Sequence, residues 1–117
     1  MSTYQAPLAD IQFVLTELAG LEQVEKLPGF EEVTPDVVAA ILEEGAKFAT
    51  NVLSPLNAVG DREGSTRLDD GSVVTPPGFK EAYRQFCENG WNGLTKATEF
   101  GGQAAPCDVR LDPADVE

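Results

Sequence analysis

Residues 34–53 read TPDVVAAILEEGAKFATNVL and contain the clearest helical pattern in the sequence. Thr34 suits the N-cap position. Pro35 suits the first helical position, because proline lacks a backbone N–H and an N–H at that position would have no partner within the helix. Apolar residues follow at spacings that place them on one face of a helix. They are Val38, Ile41, Leu42, Phe48 and Val52. We expect this face to lie in the core and the helix to end or kink near Leu53, because Pro55 follows.

Three further segments have helical patterns. They are residues 8–19, a shorter stretch at 21–27 that Pro28-Gly29 ends, and residues 79–89. On the last of these, Phe79, Tyr83 and Phe86 lie on one apolar face and are predicted to be core residues.

Residues 57–78 are polar and are expected to form a loop. Within them, Asp70-Gly71 is a typical hairpin-turn dipeptide, and Leu68 and Val73-Val74 flank it. This pattern favours a short two-stranded ribbon, which would be marginal in isolation.

The sequence thus predicts a mainly α, bundle-like helical domain over residues 1–106, with a short hairpin-like loop. Residues 107–117 show no periodic pattern and are expected to form a divergent or disordered tail.

Composition excludes several classes of function. Eight Lys and Arg residues against twenty Asp and Glu residues give a net charge of −12, which argues against binding to nucleic acid or to an anionic membrane. The absence of histidine excludes Ser-His, Cys-His and His-ligated metal chemistry within the chain. No apolar run is long enough to span a membrane, and the N-terminus lacks the pattern of a signal peptide. With only two cysteines, a cytoplasmic protein is the expectation.

The motifs that most resemble known sites fail on inspection. Counted from Asp61, a calcium loop needs Gly at its sixth position and Glu at its twelfth, where Thr66 and Ser72 stand. The glycines form no phosphate-binding motif, and the carboxylate pairs are typical of solvated helix surfaces. Cys87 has no histidine to activate it and is expected to be an inert thiol. Residue chemistry alone therefore predicts no catalytic, cofactor-binding or metal-binding residues, and a small metal-binding protein is the least favoured interpretation.

Three segments, taken in order, resemble the N-terminal helical domain of acyl-CoA dehydrogenases. They are LSPLNAVGDREG at residues 53–64, GWNGL at 90–94 and EFGGQ at 99–103. YQAPL at residues 4–8 and FVL at 13–15 are similar to a bacterial branch with an extended N-terminus, which includes enzymes similar to methylmercaptopropionyl-CoA dehydrogenase. The order and spacing of the three segments carry this resemblance.

The resemblance implies an FAD flavoprotein of fatty acid metabolism that oxidises acyl-CoA thioesters at the α and β carbons. In that family a carboxylate removes the α-proton, the β-hydrogen passes to the flavin as hydride, and electrons go on to an electron-transfer flavoprotein. The full-length subunits usually form homo-oligomers. The resemblance also places Trp91, Phe100, Gly101 and Gly102 on the side that faces the acyl-CoA.

The chain departs from the family in its length of 117 residues. The family's catalytic glutamate and most of its flavin contacts belong to a middle β-domain and a C-terminal helical bundle, which have no counterpart here. We therefore expect a truncated or partial chain that binds no FAD tightly and is inactive alone. The alternative is a standalone acidic helical interaction module without catalysis. Coding sequence for the two further domains, downstream of codon 117 in any frame, would favour the enzyme fragment.

Overall fold

The predicted mainly helical fold is confirmed in residues 4–105, which are the residues that the computed structural model describes. The predicted tail at 107–117 lies outside them. The helices are α1 (Leu8–Phe13), α2 (Leu21–Glu25), α3 (Pro35–Phe48), α4 (Ser54–Glu63) and α5 (Phe79–Glu88), and the strands are β1 (Thr66–Arg67) and β2 (Val73–Val74). One π-helical turn, Val14–Leu18, continues α1, and another, Ala49–Leu53, joins α3 to α4. Two 3-10 turns follow α5 at Trp91–Gly93 and Thr98–Phe100.

The N-terminus of α3 has the predicted cap. Thr34 is extended, with a ψ of 156°, and its Oγ1 accepts a hydrogen bond of 3.4 Å from the Val37 N–H. Pro35 occupies the first helical position, and Asp36 lies in the first turn, where the helix dipole favours a negative charge. This end of the helix is therefore set by local sequence.

Of the two outcomes predicted near Leu53, an end or a kink, the helix does not end there, and the loop predicted for residues 57–78 is wrong over residues 57–63. The backbone stays helical through Pro55 as far as Glu63. Within the π-helical turn, the Ser54 N–H bonds to the Ala49 carbonyl, five residues back. Pro55 follows in the first turn of α4, the part of a helical segment in which proline is best tolerated. The change of hydrogen-bond pattern before the proline explains why the helix continues.

The first core lies where α1, its π-helical turn, α2 and α3 meet. Its buried members are Leu15, Leu21, Val38 and Leu42. Gly20 lies between the π-helical turn and α2 in a left-handed conformation, with a φ of +70°, which glycine adopts without strain. The predicted burial of Val38 and Leu42 is confirmed, and Ile41 packs against the same cluster while remaining partly exposed.

A second region of packing joins α3, α4 and α5. Phe48 is 8% exposed, and its ring lies 6.3 Å from that of the half-buried Phe86, so both contribute to this region as predicted. Val52 is partly buried. The predicted burial of Phe79 and Tyr83 is wrong, since they are 38% and 70% exposed. Ala82, at 5% exposure, is the buried residue of α5, whereas the ring of Phe79 is covered only in part, by Gly60 of α4, and residues 4–105 leave most of the Tyr83 side chain uncovered.

The predicted hairpin is confirmed. Strands β1 and β2 are antiparallel, with Arg67 opposite Val73. The turn between them places Gly71 at a φ of +85°, and the Asp70 carboxylate accepts hydrogen bonds from the Ser72 N–H and hydroxyl. Every residue of both strands is exposed, so the ribbon depends on its turn and not on burial.

The molecule is flat. Its extents are 54 × 37 × 18 Å and its radius of gyration is 16.9 Å, against about 13 Å for a compact chain of about 100 residues. Large apolar side chains remain on the surface, including Phe13 at 60%, Leu18 at 73% and Phe100 at 81% exposure. A flat shape of this kind buries little apolar surface for its length.

Candidate functional site

The structure brings together the two glycine-rich segments at residues 90–94 and 99–103. The Gln103 N–H donates to the Gly93 carbonyl over 3.1 Å, and the Ala105 N–H donates to the Leu94 carbonyl over 2.9 Å. Between these bonds, the Ala104 N–H donates to the Lys96 carbonyl over 2.8 Å. Residues 90–105 therefore form one backbone-bonded unit, which we call the double turn.

Three glycines shape the double turn. Gly90, with a φ of +78°, ends α5 and directs the chain into the Trp91–Gly93 turn. Gly101, with a φ of +79°, ends the Thr98–Phe100 turn in the same left-handed conformation. Gly102 then passes so close to the main chain of Lys96 that a Cβ at this position would overlap the Lys96 carbonyl group. Glycine at 102 is thus required by a close approach of backbone to backbone.

A groove of about 690 Å³ runs between α3 and the double turn, along the C-terminal end of α5. Its apolar lining includes Ile41, Phe48, Val52 and Leu94. Four carboxamide side chains also border it, those of Asn51, Gln85, Asn89 and Gln103. The groove therefore combines an apolar floor with neutral hydrogen-bonding groups.

The charged groups that border the groove neutralise one another. Lys47 Nζ lies 2.5 Å from Glu44 Oε1, and both side chains are well exposed. The Glu44 carboxylate raises the pKa of Lys47 through this hydrogen bond, with a further contribution from Glu43. Glu44 and Lys47 thus form an ion pair at the edge of the groove, and neither of them contributes an unpaired charge to it.

Trp91 lies in the wall of the groove and is partly buried. Its indole N–H is buried and has no hydrogen-bond acceptor among residues 4–105. A buried donor without a partner costs about 1–3 kcal/mol, so this arrangement is unfavourable on its own. Of the predicted site residues, Trp91 has the strongest structural connection to a cavity.

The other three predicted site residues, Phe100, Gly101 and Gly102, belong to the same double turn as Trp91. Gly101 and Gly102 belong to the opposite half of the double turn, and a Cβ on Gly93 would lie 3.7 Å from both the Gly101 carbonyl oxygen and the Gly102 Cα. Phe100 is 81% exposed and does not line the groove. The four residues are therefore neighbours in one unit, although only Trp91 borders the cavity.

Sequence reasoning missed the amide side chains of the groove. Gln85 and Asn89 are four residues apart and lie on the same side of α5, a spacing that is visible in the sequence. Asn51 comes from the π-helical turn, and its placement depends on a hydrogen-bond pattern that the sequence does not reveal. Gln103 reaches the groove only because the double turn folds back on itself.

The chemistry available at this groove is binding by shape and hydrogen bonding. Amides and an indole N–H hold no proton that titrates near neutral pH, and the bordering carboxylate of Glu44 is paired with Lys47. Within residues 4–105, no group of three or more His, Cys, Asp or Glu side chains is arranged to hold a metal ion.

Cys87 is a half-buried free thiol, and Cys107 lies outside the described residues. None of the described helices has the length and apolar character needed to cross a membrane.

The sequence matches no family model. Over 104 residues, which are 89% of this chain, it is 43% identical to 3-methylmercaptopropionyl-CoA dehydrogenase of Ruegeria pomeroyi. The chain spans only 18% of the length of that relative. The resemblance to acyl-CoA dehydrogenases, first drawn from three short segments, is confirmed by this similarity.

Proposed function

Because the chain is related to an acyl-CoA dehydrogenase, we propose that residues 1–106 form the N-terminal helical domain of an FAD-dependent enzyme of this kind. The reaction would be the oxidation of an acyl-CoA thioester at its α and β carbons. The 43% identity over 89% of the chain carries this proposal. The helical fold and the meeting of residues 90–94 with 99–103 support it, because the segments that suggested the family form one structural unit.

The role of this domain would be to form one wall of the substrate-binding site. The groove offers apolar surface and neutral amides, which suit contact with an acyl group or its thioester. The bordering ion pair of Glu44 and Lys47 leaves no carboxylate poised as a base there. We therefore assign proton removal and most flavin contacts to the middle and C-terminal domains that the family supplies. FAD, when bound in such a complete enzyme, would accept the hydride.

Trp91, Phe100, Gly101 and Gly102 are proposed to lie on the side of the domain that faces acyl-CoA. Two observations support this assignment for Trp91: the residue borders the groove, and its buried indole N–H has no acceptor in the described residues. Gly101 and Gly102 would act indirectly, by holding the backbone of the double turn in place. Phe100, at 81% exposure, is available for contact with a ligand or another domain.

Several wider properties follow from the family and are part of the same proposal. They are a cytoplasmic location, assembly into homo-oligomers, and electron transfer to an electron-transfer flavoprotein. The exposed apolar side chains of α1 and its π-helical turn, Phe13, Val14 and Leu18, would be buried against further domains or subunits, since large apolar patches promote association. The net charge of −12 would oppose non-specific association of the isolated chain.

A chimeric enzyme tests the proposal directly. The aligned segment of the Ruegeria pomeroyi enzyme is replaced by residues 1–106 of this chain. We expect the purified chimera to retain bound flavin, seen by visible absorbance, and to oxidise 3-methylmercaptopropionyl-CoA. A folded, flavin-containing chimera that cannot oxidise any acyl-CoA would contradict the proposed function.

A matched pair of variants makes this experiment sharper. In the chimera, Trp91→Phe removes the buried indole N–H of a residue that borders the groove, while Tyr83→Phe changes an aromatic residue that is 70% exposed. We expect Trp91→Phe to raise KM or lower kcat for acyl-CoA by about threefold to tenfold, and Tyr83→Phe to change neither. Equal kinetics for both variants would remove Trp91 from the substrate side. The isolated chain, mixed with FAD and the same thioester, is expected to show no turnover.

A further inference from the structure

We draw no further inference here: the strongest candidate, the apolar floor of the groove between α3 and the double turn, belongs to the site already described, and nothing in the described part of the structure shows what else covers it.

Discussion

The ring of Phe79 lies against the Cα of Gly60, so that a Cβ at position 60 would stand 2.8 Å from Phe79 Cζ. Gly60 is inside α4, and Phe79 is the first residue of α5. At the same junction, a Cβ on Gly78 would stand 2.6 Å from Leu56 Cδ2. Two glycines therefore allow the helices to approach across the intervening hairpin.

The first prediction concerns Gly60→Val. A branched side chain at this position would push against the Phe79 ring. Because Phe79 is 38% exposed and its ring has room to shift, we expect a cost near the lower end of the roughly 1–3 kcal/mol typical of overpacking. Ala58→Val is the matched control, because residue 58 is exposed on the same helix and introduces the same β-branched side chain without the ring contact. Urea unfolding followed by circular dichroism measures both.

A double-mutant cycle identifies the cause of that cost. With Phe79→Ala as the second change, the clash disappears, so Gly60→Val should be less destabilising than it is beside the native ring. If the cost of Gly60→Val is the same in both backgrounds, the contact between the two residues does not limit the approach of the helices.

The second prediction concerns Phe48→Ala. Phe48 is 8% exposed and packs against Phe86, so its truncation should cost about 3–5 kcal/mol. Phe100→Ala is the control, because Phe100 is 81% exposed and its removal should change stability by about 0.5 kcal/mol or less. Denaturation midpoints of the purified variants provide the measurement. A loss below about 1 kcal/mol for Phe48→Ala would mean that the second packing region contributes little to the isolated chain.

The third prediction concerns the cap of α3. Replacing Thr34 by Ala removes the acceptor for the Val37 N–H and should cost about 1 kcal/mol. Thr34→Ser keeps the hydroxyl group and should cost clearly less. Thermal unfolding of the two variants separates the cap from any general effect of the substitution, and equal losses would show that the 3.4 Å hydrogen bond is unimportant.

The sequence predicted those parts of the fold that short-range chemistry determines. The Thr34-Pro35 start and the Asp70-Gly71 turn were found because caps and turns depend on a few adjacent residues. The helical conformation of residues 57–63 was missed, because the π-helical turn that carries the helix to Pro55 has no sequence signal as strong as proline. The exposure of Tyr83 was missed for a different reason. The spacing of apolar residues shows that one face of a helix is apolar, but it does not show whether another part of the protein covers that face.

For the candidate site, the sequence predicted the two segments of the double turn, whereas it did not predict the groove. The Gly-rich segments at 90–94 and 99–103 were identified together because their residues are distinctive, and they do meet. The groove itself combines α3, α5 and the double turn. Its amide side chains come from separate elements, so only tertiary packing brings them together.

The fourth prediction concerns pH. On α5, hydrogen bonds from Arg84 and Gln85 lower the pKa of Glu81 to about 2 from its ordinary value of 4.5. Because the folded-state pKa is below the unfolded one, the stabilisation is present above about pH 4.5 and is lost as the pH falls towards 2. Arg84→Gln should return the Glu81 pKa towards its ordinary value, as measured by carbon NMR of the carboxyl groups.

Lys80→Gln is the control for that titration. It removes a positive charge from the same helix, and no ion pair of Lys80 occurs within residues 4–105. The Glu81 pKa should therefore stay low in this variant. A similar rise in both variants would assign the effect to net charge instead of the hydrogen bonds from Arg84.

The last prediction concerns Gly102→Ala. The added methyl group would overlap the Lys96 carbonyl, which belongs to the backbone and cannot rotate away as a side chain can. The hydrogen bonds from Gln103, Ala104 and Ala105 should therefore be lost or lengthened. Trp91 is the only tryptophan in the sequence, so its fluorescence reports on the double turn, and we expect its emission to shift to the red as the indole becomes solvated.

Gly101→Asn provides the contrast for this experiment. Gly101 has a φ of +79°, a Cβ added there would meet no atom within 4 Å, and Asn tolerates the left-handed conformation better than other residues. The emission spectrum of this variant should stay close to that of the unmodified chain, with a modest loss of stability. Identical spectra for Gly102→Ala and the unmodified chain would mean that the double turn relaxes without moving Trp91. In that case Gly102 would not position the groove wall, and the proposed indirect role of this glycine at the acyl-CoA side would be wrong.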